Sequence, residues 1–81
     1  METLYSYYTH PYTSDAGRVE IIWDEANKDC YVWSVNRQQR LLPAPRRFDA
    51  NGCAHPITTR DEAVAYAAAV KRRVEAETSG Q

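Results

Sequence analysis

Apolar residues recur at every second position in the middle of this chain and at every third or fourth position near its end. In Arg18-Val-Glu-Ile-Ile-Trp23, Val19, Ile21 and Trp23 share one face, and Arg18, Glu20 and Asp24 take most of the other. That alternation predicts a half-buried strand. Cys30-Tyr-Val-Trp-Ser-Val35 is dense in β-branched and aromatic residues and predicts a second strand. Its bulkier set, Tyr31, Trp33 and Val35, is expected to be more buried than Cys30, Val32 and Ser34. The polar stretch Asp24-Glu-Ala-Asn-Lys-Asp29 has the length of a hairpin loop. After a turn at Asn36-Arg-Gln-Gln39, a third strand is expected through Arg40-Leu41-Leu42. Pro43 and Pro45 lack the N–H a ladder needs, so this strand is an edge or ends early. Leu4-Tyr-Ser-Tyr-Tyr-Thr9 is a candidate extra strand, closed by Pro11 and the turn residues Thr13-Ser-Asp-Ala-Gly17. Asp49-Ala-Asn-Gly52 is the strongest turn signal, because glycine tolerates positive φ.

The period changes at Thr59. Thr59-Arg-Asp-Glu62 is a capping box, in which the Thr59 hydroxyl and the Glu62 carboxylate satisfy backbone N–H groups at a helix start. Ala63, Ala67, Val70 and Val74 then recur at helical spacing with Tyr66 beside them. Asp61 and Glu62 sit at the positive end of the helix dipole, and Lys71, Arg72 and Arg73 nearer its negative end. The pattern divides a single domain, residues 1–81, into an N-terminal strand or arm (1–17), a β-meander (18–57), a helix (58–76) and a frayed tail (77–81). The fold class is α+β: a two-layer, three- or four-stranded antiparallel meander with one C-terminal α-helix packed on one face.

Charge adds one asymmetry. Residues 1–35 carry six acids and two bases, a net of −4, whereas residues 36–81 carry eight bases and five acids, a net of +3. No apolar run is long enough for a membrane helix, and the first residues lack the charged and apolar regions of a signal peptide. A cytoplasmic location is expected, that of the host cell if the protein is phage-encoded. Cys30 and Cys53 are accordingly expected as free thiols.

Catalytic and metal chemistry have little to stand on. Cys53-Ala-His55 brings a thiol near an imidazole, but the sequence offers no evident third group to orient the base. Cys30, Cys53, His10 and His55 lack the paired spacing of a zinc knuckle. Asp24, Glu25 and Asp29 cluster in a polar loop, and the three glycines are isolated, so no phosphate-cradling loop is present. No enzyme activity, cofactor or metal is expected.

Aromatic and basic residues carry more information. Tyr5, Tyr7, Tyr8, Tyr12, Trp23, Tyr31, Trp33 and Tyr66 are too many for one sheet face and one helix to cover. Tyr5, Tyr7 or Tyr8 is therefore expected to stay partly exposed, and exposed Tyr near Arg is the composition of a binding surface. Arg37, Arg40, Arg46 and Arg47 fall within eleven residues without an acid. The stretch Arg40-Leu-Leu-Pro-Ala-Pro-Arg-Arg47 reads as a guarded sheet edge that also offers arginines to a partner. Tyr5, Tyr7, Tyr8 and these four arginines are the candidate partner-binding set. A three-stranded sheet backed by a helix resembles the arm-binding domains of phage-type integrases and plant AP2 domains, which implies a nucleic-acid-binding sheet. Those domains carry a basic sheet, whereas Glu20, Asp24, Glu25 and Asp29 stand on or beside the strands here. In layout and economy the chain is similar to small proteins of bacteriophages and mobile elements, including the anti-CRISPR class. That resemblance implies a non-catalytic protein that binds a protein partner and inhibits a host nucleoprotein complex. A nucleic-acid binder is the alternative; no membrane partner is expected, and the oligomeric state is open.

Overall fold

The computed structural model describes residues 1–8 and 17–79, with side chains through residue 77. Thr9, His10 and most of the expected turn before Gly17 lie outside the described residues. Six strands and one helix follow in order: β1 (Glu2–Tyr8), β2 (Arg18–Asp24), β3 (Asp29–Ser34), β4 (Gln39–Leu41), β5 (Arg46–Phe48), β6 (Ala54–Pro56) and α1 (Arg60–Ser79). The first four form an antiparallel sheet in the order β1-β2-β3-β4. The N-terminal segment therefore joins the sheet, and the strand before Pro43 is the opposite edge.

Register fixes the two faces. Val19 pairs with Ser34, Ile21 with Val32 and Trp23 with Cys30, and this row faces α1. Ala63, Ala67 and Val70 come down on it as the helical spacing requires, and Ile57 closes the cluster. Trp23 and Ile21 are the largest side chains fully withdrawn from water, each worth about 1.5–3 kcal/mol of burial. Alanines at the contact let helix and sheet approach closely. The bulkier set on β3 lies on the other side: Cys30 and Val32, not Tyr31 and Trp33, join the helix-facing core, and Val35 is exposed. Trp23 and Ile21 already fill the space under α1, so β3 contributes only small side chains there.

The turns are built from side chains. Asp24 is buried but satisfied: its carboxylate accepts from the Ala26 and Asn27 N–H groups and from Asn27 Nδ2 (2.7 Å). Lys28 takes positive φ to close the loop (49°). At the next turn Ser34 Oγ accepts from the Arg37 N–H, and Gln38 takes positive φ (53°).

After Pro43 and the buried Pro45 the chain forms a second, two-stranded sheet, β5–β6, which the sequence pattern did not foretell. Three-residue strands are too short to show alternation. The expected turn does join them. Asp49 Oδ1 accepts from the Asn51 and Cys53 N–H groups, both at 2.9 Å, and Gly52 has φ +82°.

The helix starts as the capping box requires, with the Glu62 N–H donating to Thr59 Oγ1 (3.3 Å). Glu62 reaches back to the N–H of Thr58 (3.2 Å), one residue earlier than the simplest box. The helix runs through Ser79, past the expected end at residue 76, since Ala, Glu, Lys and Arg hold helical structure well.

Candidate functional site

The face of the main sheet turned away from α1 is set by the same register. Thr3 pairs with Ile22, Ser6 with Glu20 and Tyr8 with Arg18. Ile22 in turn pairs with Tyr31, Glu20 with Trp33, and Trp33 with Arg40. The second sheet does not lie here: Ile57, just after β6, joins the helix-side core, and Arg47 of β5 reaches Glu62 on α1 (2.5 Å). Among the described residues, this broad face has neither helix nor hairpin over it.

Its centre is aromatic and ordered. The Arg40 guanidinium lies 4.0 Å from the Tyr31 ring centroid, a stacking distance at which cation–π attraction operates. Trp33 meets Tyr31 edge-on, with centroids 6.4 Å apart. The Tyr31 hydroxyl donates to Met1 Sδ (2.8 Å). Tyr31 is thus buried by its neighbours on this face, while Trp33 is half-buried. Tyr8, 76 % exposed, stands at the corner.

Charge on the face is balanced by pairs. Arg40 Nη1 donates to Asp29 Oδ2 (2.9 Å), and Arg18 stands 3.7 Å from Glu20 while also donating to Ser6 Oγ (3.4 Å). At the sheet's end, Glu25 accepts from Lys28 and from Trp23 Nε1 (2.6 Å), and these bonds hold its carboxyl below the usual range. Such a surface combines Trp, Tyr and Arg with its arginines paired to carboxylates. That suits a protein partner better than a polyphosphate backbone, which is held by unpaired cations.

The seven expected binding residues do not form one patch. Arg40 and Tyr8 are on this face. Tyr5 and Tyr7 pack against the core on the helix side, stacked with centroids 5.6 Å apart, and burial raises the Tyr7 hydroxyl above its ordinary pKa. Arg37 is in the β3–β4 turn. Arg47 faces α1, so Arg46 and Phe48, one residue to either side on β5, project from the opposite face of the small hairpin. No acid falls between Arg37 and Arg47 in sequence, but the fold brings Asp29 to Arg40 and Glu62 to Arg47. Ile22, Tyr31 and Trp33 were not expected on this face, where neighbours bury Ile22 and Tyr31 and leave Trp33 half-buried. The signal was available, because Ile22 breaks the polar alternation of β2 and β3 has large residues on its second face.

The imidazole in β6, two residues after the Cys53 thiol, gains an orienting carboxylate. His55 Nε2 and Asp49 Oδ2 are 2.8 Å apart, and that bond is the first of several that lower the Asp49 pKa. Cys53 is exposed in the hairpin, whereas Cys30 is buried, its thiol pushed up to about 11 by desolvation and the Asp29 charge. No disulfide joins them. Among the described residues, no group of three or more His, Cys, Asp or Glu side chains is placed to hold a metal ion, and no helix is long and apolar enough to cross a membrane.

No protein-family profile, curated protein or solved structure matches this chain.

Proposed function

We propose that this chain is a non-catalytic protein-binding module that docks through the open face of its four-stranded sheet. The observation that carries this reading is the cluster of Tyr31, Trp33 and Arg40, held in fixed geometry on that face. Pre-ordered aromatic and arginine side chains lose little entropy on docking and dominate protein–protein affinity. The balanced Arg18–Glu20 and Arg40–Asp29 pairs supply polar contacts around them. Within this class we assign it the role of a small inhibitor, blocking a host nucleoprotein complex by contact alone as phage-encoded anti-CRISPR proteins do. Support for that finer role is the chain's economy: 81 residues with one aromatic sheet face.

The competing ligand is nucleic acid, and a titration of labelled DNA and RNA duplexes over a range of salt separates the two. Weak retention at low salt that does not depend on Trp33 is expected. Tight binding that weakens steeply as salt rises, and that Arg46→Glu abolishes, would assign the protein to nucleic acid instead.

A further inference from the structure

The two edges of the main sheet are finished differently. β4 is three residues long and stops before Pro43, which blunts it against pairing. β1 is seven residues long, has no proline, and bears its single charge, Glu2, at one end. Its register shifts between Thr3 and Tyr5, a local bulge, but among the described residues no proline and no mid-strand charge guards this long aromatic edge, which is a template for another strand. Beside it runs a groove of about 350 Å³ between strand and helix, lined by Leu4, Tyr5, Val64, Ala67, Ala68 and Lys71.

Strand and helix run in the same direction along this groove. At its start Arg60 Nε and Nη2 grip both Glu2 oxygens, at 2.9 and 2.7 Å. Further along, Tyr7 feels the charges of Arg73 and Glu77. The helix flank beside the strand reads Arg60, Val64, Ala68, Lys71 and Glu75, the three- and four-residue spacing of one ridge. That ridge complements itself when reversed. About a centre at Ala67–Ala68, Arg60 faces Glu75, Val64 faces the stem of Lys71, and the half-buried Ala68 lies beside the axis. The midpoint of β1 is Tyr5, which lines the same groove as Ala67 and Ala68, so one axis serves both strand and helix.

We propose that the β1 edge and this flank of α1 form the interface between two copies of the chain, related by a two-fold axis through Tyr5 and the Ala67–Ala68 pair. Antiparallel β1 strands would join two four-stranded sheets into one of eight. The helices would lie side by side on the same surface, with Ala68 against its counterpart. Charge complementarity selects this occupant. Glu75 is held only loosely by Lys71, at 4.0 Å, and the Glu2 pair leaves Arg60 Nη1 to engage a second carboxylate. The interface is isologous, so each contact is made twice. The dimer would present two open sheet faces side by side, and it stands whether or not those faces bind a protein.

Sedimentation velocity of the full chain from micromolar to millimolar concentration tests the proposal. A reversible monomer–dimer equilibrium is expected. Val64 is 39 % exposed, so Val64→Lys should keep the wild-type melting temperature while setting two cations opposite each other and weakening the dimer about tenfold or more. In a Cys53→Ser background, Ala68→Cys should oxidise to a covalent dimer and Ala65→Cys should not. A chain that stays monomeric throughout overturns the proposal. So does a dimer that is indifferent to Val64→Lys and cross-links equally from both positions.

Discussion

Arg40 is held to Tyr31 and Asp29 at once, its guanidinium 4.0 Å from the ring centroid while Nη1 donates to the carboxylate at 2.9 Å. Arg40 is therefore part of an aromatic surface rather than a loose cation. Arg40→Lys should disturb that surface although it keeps the charge, because an ammonium cannot stack and donate in the same plane. The Tyr31 ring should become more accessible, read as increased quenching of tyrosine fluorescence by acrylamide. Unchanged quenching would mean that the stack does not order the face.

Thr59→Ala removes the hydroxyl that accepts from the Glu62 N–H. The expected cost is about 0.5–2 kcal/mol, or roughly 4–8 °C of melting temperature per kcal/mol in a domain of this size. Ala67→Asp should be far worse. Ala67 is 5 % exposed under the sheet, and a carboxylate there has no partner. Loss of the cooperative melt checks it; a normal melt would mean that a different face of α1 meets the sheet.

Much of this architecture was legible in the sequence, for reasons that differ by element. Val19, Ile21 and Trp23 announced β2 because an apolar residue at every second position matches the pleat of a strand and no helical face. Thr59 and Glu62 announced α1 because capping is local chemistry. The burial of β3 was misjudged, since which of its two apolar faces meets the helix depends on space left by Trp23, a tertiary fact. β5 and β6 were invisible because three-residue strands carry no period. The binding face was only half legible. Arg40 was chosen for its neighbours in sequence, yet its partners Tyr31 and Asp29 come from across the sheet.

Acid should weaken the fold by a calculable sign. Glu2, Asp24, Glu25, Asp49 and Glu62 all have folded pKa values below their ordinary ones, with hydrogen bonds to Arg60, Asn27, Lys28, His55 and the Thr58 N–H as the respective leading causes. Depressed carboxylates stabilise fully above the unfolded pKa, and that contribution is lost as pH falls through the folded value. The melting temperature should hold steady near neutrality and drop below about pH 4. Glu2→Gln should lower it at neutral pH and flatten the acid limb. A variant with the wild-type acid slope would show that the Glu2–Arg60 pair contributes nothing to the pH dependence.

The two thiols should differ in the folded protein. Iodoacetamide at neutral pH should modify exposed Cys53 and spare buried Cys30, whose raised pKa keeps it protonated. Mass spectrometry should find one adduct on native protein and two after unfolding. Failure to label either residue after unfolding would point to an oxidised pair.

The open face is tested most directly by paired capture. Wild-type protein, the double variant Trp33→Ala with Arg40→Ala, and Arg46→Glu with Phe48→Ser are immobilised in equal amounts. Each is challenged with the same cell lysate after its melting temperature has been matched to wild type. One stoichiometric protein is expected on wild type and on the hairpin variant, with retention weaker by at least about 2 kcal/mol when the aromatic cluster is cut. A partner that ignores the loss of Trp33 and Arg40 but leaves with Arg46 and Phe48 would contradict docking through the open face, and would place the binding surface on the small hairpin.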